Sequence, residues 1–223
     1  MARIPRKHQL VGYFVYHVLN RGNQRISIFN DKKDYLRFKN TLIRYKKEYC
    51  FKVYHWIFIP NHFHLEIELP NPENISELMA RWLGGYSRYY RRKYDSAGHH
   101  WQGRFKSQPI HKELYLLKCG RYIERNAMRA GLVELPWDYE WSSCKAYVLG
   151  LDDGLTDEDS FYRSMGRSRK ERQEAYRNWL MEGEDKQFRG AKGVVADQMF
   201  MSRLRMGRGR LLPRRRGRPS PKA

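Results

Sequence analysis

The stretch that constrains the fold most is residues 62–69, in which polar and apolar side chains alternate without a break. A period of two is typical of a β-strand whose two faces meet different surroundings. The apolar face would join a core and consists of Phe63, Leu65, Ile67 and Leu69. The polar face consists of His62, His64, Glu66 and Glu68. Helices are expected to cover the apolar face and to leave the polar face open for a functional site.

Strand-like and helix-like stretches alternate along the first 150 residues in the order β-α-β-β-α-β-α. The first six elements match the split βαβ, ferredoxin-like arrangement. The sequence therefore predicts an α+β fold with an antiparallel sheet and helices on one face. The expected strands are 11–19, 51–59, 62–69 and 105–110, and the expected helices are 31–49 with Asp31 as N-cap, 74–94 and 112–128.

The chain is strongly basic, with 44 Lys and Arg residues against 24 Asp and Glu residues among 223, a formal net charge of +20. Such an excess favours a polyanionic partner, most often nucleic acid, over the alternative of a solvated basic surface. No stretch is apolar enough to span a membrane. The three cysteines are widely spaced and fit neither a disulfide framework nor a zinc cluster, so we expect a cytoplasmic, nucleoid-associated protein.

Three regions are expected along the chain. They are a folded domain over residues 1–150 that carries the candidate site residues described below, a helical extension of unknown role over 151–200, and a basic, disordered, DNA-contacting tail over 201–223. Within the tail, Arg216 and Arg218 belong to an Arg-Gly-Arg-Pro sequence that resembles the core of an AT-hook, which places arginines in narrow minor grooves. A non-specific electrostatic arm is the alternative.

The polar face of residues 62–69 holds a candidate metal site. His62 and His64 lie two apart on one strand face, where two imidazoles can bind one divalent cation. The alternative is a polar face with two histidines of no special role. Glu66 or Glu68 could orient a ligating imidazole, although we interpret both as solvated carboxylates at the rim.

The predicted last helix supplies a candidate nucleophile. Tyr122 and Asn126 are four residues apart, so their side chains are neighbours on a helix. A tyrosine hydroxyl can act as a covalent nucleophile, and an asparagine carbonyl oxygen can ligate a metal. Tyr115 is the weaker candidate, because Cys119 four residues later is a poor ligand for a hard metal. The alternative is an exposed tyrosine and an asparagine near a helix end.

Basic and aromatic residues are interleaved along the second helix and just after it, a pattern that suits single-stranded nucleic acid. The alternative places the aromatic residues in the core, and we prefer it for Trp82 and Tyr86. The candidate DNA-binding residues are Arg21, Arg88, Arg91, Arg92, Arg104 and Lys106, together with Arg216 and Arg218 of the tail.

Several stretches resemble, in the same order, the motifs of the IS200-like, single-tyrosine (Y1) HUH transposases, and most of all the REP-associated tyrosine transposases of bacteria. Tyr122 follows the His-hydrophobe-His motif, whereas in relaxases of the same superfamily the tyrosine precedes it. Ala127-Met128 departs from the Pro-Val that the family often has there. The matching stretches are Tyr16-His17-Val18, Asn20-Arg21-Gly22-Asn23, Pro60-Asn61-His62-Phe63-His64-Leu65, Trp101-Gln102-Gly103-Arg104-Phe105, Arg121-Tyr122-Ile123-Glu124-Arg125-Asn126, Arg129-Ala130-Gly131-Leu132, Trp137 and Trp141-Ser142-Ser143.

The resemblance implies an HUH endonuclease fold and a single-stranded DNA endonuclease and strand transferase that cleaves near hairpins such as repetitive extragenic palindromes. It implies that His62, His64 and Asn126 bind Mg²⁺ or Mn²⁺ and that Tyr122 forms a 5′-phosphotyrosine intermediate. The alternatives are a non-catalytic protein that binds DNA hairpins, an autonomous IS200/IS605-type transposase, and a metal-dependent phosphodiesterase that uses water. The sequence leaves open whether the protein is a monomer or a homodimer.

Overall fold

A computed structural model of the chain describes residues 15–110 and 116–182, so the predicted tail with Arg216 and Arg218 lies outside the described residues. The strands are β1 (Val15–Arg21), β2 (Lys52–Ile59), β3 (His62–Glu68) and β4 (Lys106–Ile110). The α-helices are α1 (Lys32–Tyr49), α2 (Ile75–Tyr94), α3 (Leu116–Glu124), α4 (Asn126–Arg129), α5 (Cys144–Leu149), α6 (Ser160–Ser164) and α7 (Arg169–Met181). Single-turn 3₁₀ helices lie at Asn23–Arg25, Pro72–Asn74 and Pro136–Asp138.

The four strands form one antiparallel sheet in the order β2-β3-β1-β4. This order confirms the α+β fold with a split βαβ sheet. Residues directly opposite one another on neighbouring strands share a face of the sheet. Leu19 lies opposite His64, and Arg21 lies opposite His62, so β1 contributes these side chains to the polar face of β3.

The apolar face of the sheet packs against α1 and α2. Phe63, Leu65 and Ile67 are fully buried there, as their alternation predicts. The ring of Phe38 from α1 stacks on Trp82 from α2 with 4.1 Å between centroids, which joins the two helices over the sheet. The N-terminus of α1 is fixed by Asp31, whose side chain accepts from the backbone N–H of Asp34 at 3.0 Å, as expected for an N-cap.

The opposite face of the sheet is covered by α3. The expectation of helices on one face holds for the two long helices, α1 and α2, while α3 lies over the face that was expected to be open. Its predicted apolar stripe is buried against that face, and the stripe consists of Leu116, Gly120, Ile123 and Ala127. Because the helix that carries Tyr122 covers the histidine face, the two halves of the predicted site can meet.

Residues 151–182 contact the sheet and pack on α5. The backbone N–H of Asp157 donates to the carbonyl of Val53 at 2.7 Å, and the indole N–H of Trp56 donates to Thr156 at 3.0 Å. A separate cluster of buried side chains joins α5, α6 and α7, with Tyr147, Tyr162 and Tyr176 at its centre.

Along the described ranges, no helix is both long and apolar enough to cross a membrane.

Candidate active site

Tyr122 and Asn126 lie over the two histidines of β3, each against a different one. The ring of Tyr122 meets the ring of His64 edge-on, with 5.6 Å between centroids. The side chain of Asn126 is hydrogen-bonded to His62. The predicted set of Tyr122, His62, His64 and Asn126 therefore comes together at one place on the sheet, and we call it, with His17, the histidine site.

The helix that carries the tyrosine is interrupted between the two predicted functional residues. Tyr122 belongs to α3, and Asn126 is the first residue of α4, with Arg125 between the two helices. Arg125 keeps a helical hydrogen bond from its N–H to the carbonyl of Arg121 at 3.0 Å, so the break is a local adjustment. The single helix expected over 112–128 was therefore wrong in its continuity, although the two side chains still face the sheet.

A hydrogen bond occupies the Nδ1 atom of each strand histidine. The Nδ1 of His62 lies 2.6 Å from Oδ1 of Asn61. The Nδ1 of His64 lies 2.8 Å from Nε2 of His17, a residue of the neighbouring strand β1. In His64 the Nε2 atom is thus the nitrogen that remains for a ligand, whereas His62 also has the side chain of Asn126 as a partner.

The histidine site holds its imidazoles in the neutral form. Burial lowers the pKa of His17 to about 4. Burial also lowers the pKa of His62 to about 4, helped by the charge of Arg21. The pKa of His64 is held well below its usual value by burial, by the two neighbouring histidines, and by the charges of Arg21 and Arg129. Neutral imidazole is the form that ligates a metal ion, so the site is in the binding-competent state near neutral pH.

Basic side chains surround the neutral histidines. The guanidinium of Arg129 lies over the ring of Tyr122, 4.9 Å from its centroid. Arg21 is opposite His62 in the sheet, and Lys106 of β4 is opposite Leu19, on the same face as His64. Cations placed around a phenol and two imidazoles favour a phosphodiester over a neutral or cationic ligand.

The predicted DNA-binding residues divide into two groups in the fold. Arg21, Arg104 and Lys106 lie near the histidine site, because the loop that carries Arg104 is tied to the end of β1 by a 2.9 Å hydrogen bond from Gln102 N–H to the Arg21 carbonyl. The other group lies exposed on α2, which covers the opposite face of the sheet. The structure does not bring this second group to Tyr122, and it consists of Arg88, Arg91 and Arg92.

The tyrosines of α2 are engaged in hydrogen bonds and packing within the fold. The hydroxyls of Tyr89 and Tyr94 donate to the buried carboxylate of Asp34 at 2.9 and 2.7 Å. Trp82 and Tyr86 are buried in the core, as we preferred from the sequence. The interleaving of aromatic and basic residues along α2 is thus explained by packing on the sheet.

Glu66 is buried, contrary to the expectation from the sequence. Its interpretation as a solvated rim carboxylate was wrong, because the side chain is fully buried and burial raises its pKa to about 8. The reason is α3, which covers this part of the polar face. Glu68 is partly buried and accepts a 2.8 Å hydrogen bond from the hydroxyl of Tyr54.

A second group of buried polar side chains lies beside the histidine site, and no pattern in the sequence indicated it. We call it the His55 cluster; its members are His55, Glu124, Ser143, Asp159 and Tyr176. His55 donates from Nδ1 to Glu124 at 2.8 Å and from Nε2 to Asp159 at 3.3 Å. Glu124 also accepts from the hydroxyls of Ser143 at 2.9 Å and Tyr176 at 2.8 Å. Because Glu124 is two residues from Tyr122, this cluster fixes the helix that carries Tyr122.

Missed residues of the site had only weak signals in the sequence. His17 interrupts an otherwise apolar strand, and Arg129 follows Asn126 by three residues, but neither pattern identifies a contact. In the described ranges, no group of three or more His, Cys, Asp or Glu side chains is placed to hold a metal ion. The candidate donors are therefore the two imidazoles and the amide of Asn126, a set that suits several divalent cations.

Comparisons with known proteins agree with this fold. A family model described as transposase IS200 like matches residues 11–126, which include every residue of the histidine site. Among solved structures, the chain is similar to one described as the REP associates tyrosine transposase bound to a REP hairpin. The TM-score is 0.54 at 20% identity, over 71% of this chain and 93% of that chain, a likeness that shows the fold. No curated protein matches.

Proposed function

Because the chain belongs to the IS200-like transposases, we propose that it cleaves and rejoins single-stranded DNA with Tyr122 as the nucleophile and with His62, His64 and Asn126 as ligands of Mg²⁺ or Mn²⁺. One observation carries this proposal: Tyr122 and Asn126 each contact one histidine of a pair that burial keeps neutral. The donor set fits a divalent cation, since Nδ1 of each imidazole is engaged by a neighbouring side chain and Nε2 of His64 remains for a ligand.

The side chains of the site have separate roles in the proposed reaction. The hydroxyl oxygen of Tyr122 attacks the phosphorus, the bond from phosphorus to the 3′ oxygen breaks, and the phenolic proton passes to that oxygen. The products are a 5′-phosphotyrosine link and a free 3′-hydroxyl, and attack by another 3′-hydroxyl reverses the step without ATP. Arg21 and Arg129 hold the phosphate and offset its charge. A bound divalent cation supplies Lewis acidity at the phosphate oxygens.

The substrate that we propose is single-stranded DNA beside a hairpin. The net charge of +20 supports a nucleic-acid partner. The solved structure of similar fold is that of a protein bound to a REP hairpin, which motivates a hairpin as the first substrate to test. We propose that the basic residues near the site contact the DNA strand that enters it. These residues are Arg21, Arg104 and Lys106.

Three other functions remain, of which the first two are distinct outcomes of one biochemical test. A non-catalytic protein would bind hairpins and form no covalent product. A phosphodiesterase that uses water would cleave DNA without Tyr122. An autonomous IS200/IS605-type transposase would share the chemistry and differ in having a mobile element of its own at its genomic site. The contact between Tyr122 and His64 favours the tyrosine mechanism over the first two.

Covalent trapping on a denaturing gel tests the proposal. Purified protein is mixed with labelled single-stranded DNA that carries a hairpin from its own genomic neighbourhood, with Mn²⁺ or with EDTA. We expect a metal-dependent adduct with the wild type and none with Tyr122→Phe. Tyr115→Phe is the matched control, because it removes a hydroxyl from the other tyrosine that the sequence offers on this flank, and it should form the adduct.

Two results would contradict the proposal. Cleavage without an adduct that survives in Tyr122→Phe would indicate a nuclease that uses water. Tight binding of the hairpin by the wild type and by Tyr122→Phe, with no cleavage product from either, would indicate a non-catalytic binding protein.

A further inference from the structure

His17 and His64 meet through their ring edges. Their rings are within 17° of coplanar, their centroids are 5.1 Å apart, and Nε2 of His17 lies 2.8 Å from Nδ1 of His64. Two rings that stacked face to face would place no pair of nitrogens so near while their centroids stayed so far apart. The contact is therefore an in-plane hydrogen bond in which one nitrogen donates and the other accepts.

The contact is too short for a metal ion to lie between the two nitrogens. A divalent cation holds imidazole nitrogens at about 2.1 Å, so two facing lone pairs that shared one cation would be about 4 Å apart. At 2.8 Å the two atoms share a proton. His17 thus does not ligate through Nε2, and His64 has only its Nε2 to offer to a cation.

The neighbouring histidine repeats this arrangement with a different partner. His62 lies 2.6 Å, through its Nδ1, from the side-chain oxygen of Asn61. A carbonyl oxygen accepts and cannot donate, so Nδ1 of His62 carries the proton and Nε2 is the bare nitrogen. A ligating histidine commonly donates its second N–H to a partner that fixes the tautomer and the orientation of the ring. Asn61 is such a partner for His62, and His17 occupies the equivalent position beside Nδ1 of His64.

Packing alone does not account for a histidine at position 17. Its side chain is 2% exposed on a strand whose neighbouring positions are apolar and buried. Its Nδ1 atom has no hydrogen-bond partner among the described residues. Burial of a polar atom without a partner destabilises a fold, whereas Leu or Val would fill the same space at no such cost. The hydrogen bond to His64 is what the residue contributes.

We infer that His17 is a positioning residue that accepts the Nδ1–H of His64 and thereby presents the Nε2 of His64 to the divalent cation. This inference rests on the proposed function, in which His64 is a metal ligand. In this role His17 neither ligates the cation nor attacks the phosphorus, and its ring also meets the ring of Tyr122 edge-on, with 6.3 Å between centroids. It acts by selecting one tautomer of His64 and one orientation of its ring.

A pair of variants at position 17 separates the hydrogen bond from the shape of the side chain. His17→Leu keeps the bulk and removes the acceptor, while His17→Gln keeps an acceptor oxygen near the position of Nε2. The probe is Mn²⁺ alone, titrated into the full chain without DNA and followed by electron paramagnetic resonance of the free ion. We expect His17→Leu to bind Mn²⁺ about 10- to 100-fold more weakly than the wild type. His17→Gln should recover most of that affinity, with thermal unfolding of both variants measured beside it.

A second readout uses the diamagnetic ion Mg²⁺ and histidine labelled with ¹⁵N. In the wild type we expect the proton of His64 on Nδ1 and a bare, accepting Nε2 on His17. Affinity for Mn²⁺ that is unchanged in His17→Leu would overturn the inference, and so would an equal loss in His17→Leu and His17→Gln.

Failure of the proposed function is distinguishable from failure of this inference. If His62→Ala weakens Mn²⁺ binding but the wild type forms no adduct with DNA, the proposed reaction is wrong and the role of His17 stands. If His62→Ala leaves Mn²⁺ binding unchanged, the metal site itself is wrong, and the role of His17 falls with it.

Discussion

The histidine site and the His55 cluster lie on the same face of the sheet beneath α3, and their surroundings give their imidazoles different charge states. The histidine site contains His17, His62 and His64, and burial keeps all three neutral, with nearby arginines adding to the effect at His62 and His64. In the His55 cluster, burial also acts against the charged form. There, hydrogen bonds to Asp159 and Glu124 outweigh burial and raise the pKa of His55 to about 10.

The difference shows that neighbouring side chains, more than burial, determine the protonation state of a buried histidine and whether a ring nitrogen is left for a ligand. A histidine between two carboxylates is a completed ion pair with both ring nitrogens used, as in His55. A histidine whose partners are a neutral acceptor and nearby cations keeps one nitrogen for an incoming ligand, as in His64. We therefore interpret the His55 cluster as a structural brace for α3 and the histidine site as the reactive part.

The largest loss of stability is expected for Glu124→Ala, in the His55 cluster. Glu124 accepts from His55, Ser143 and Tyr176, and its removal leaves a buried imidazolium with half of its counter-charge. Loss of one partner of a buried ion pair costs about 3–5 kcal/mol of unfolding free energy. Denaturant unfolding of the variant and the wild type measures this loss. A cost below about 1 kcal/mol would show that the cluster does not brace the helix.

Gly120→Ala tests the packing of α3 on His55, the other contact of the same brace. A β-carbon at Gly120 would overlap the ring of His55, because α3 lies directly on that imidazole. Overpacking of a filled core costs about 1–3 kcal/mol. The expected result is an intermediate loss of stability by denaturant unfolding. Gly131→Ala is not a suitable control because its φ is +69°, whereas Gly84→Ala is suitable, since Gly84 lies in α2 and has room for a β-carbon.

Alkaline pH should weaken the fold through His55. With a pKa of about 10 in the fold and 6.5 when unfolded, His55 holds a proton between these values that the unfolded chain has released. Stability therefore falls as pH rises through this window, by at most about 1.4 kcal/mol per pH unit for one group. Glu66, with its pKa raised to about 8, adds a fall in the same direction up to that pH. Denaturant midpoints at pH 7, 8 and 9 measure the slope, and a stability that rises over this range would contradict it.

The smallest effect on stability is expected for His62→Ala, in the histidine site. His62 is partly exposed, neutral, and bonded to the side chains of Asn61 and Asn126 rather than to a carboxylate. Its removal should cost less than about 1 kcal/mol. The same variant should lose Mn²⁺ binding and adduct formation. A large loss of stability here would erase the contrast between the two groups.

Local periodicity in the sequence predicted the parts of the site that lie within one element. The alternation of residues 62–69 identified the shared face of His62 and His64, and the spacing of four identified Tyr122 and Asn126 as neighbours. The resemblance to the family supplied the order of motifs that joins these two pairs, and the family match over residues 11–126 confirms it.

Contacts that depend on strand register and on the third layer were beyond sequence reasoning. His17 meets His64 across 47 positions of the chain, because β1 pairs with β3. His55 meets Glu124 across 69 positions, and Glu66 is buried only because α3 covers the sheet. A single sequence shows which residues share an element, whereas register and the docking of α3 depend on the whole core.

The central claim is that Tyr122 carries the DNA, and identification of the modified peptide tests it most directly. Trypsin cleaves after Arg121 and Arg125, so it releases Tyr122–Arg125 as a tetrapeptide. After reaction with hairpin DNA and Mn²⁺ and digestion by nuclease and trypsin, mass spectrometry should find a 5′-phosphonucleotide on Tyr122 in that peptide. A nucleotide on any other tyrosine, or cleaved DNA with every tyrosine unmodified, would contradict the account.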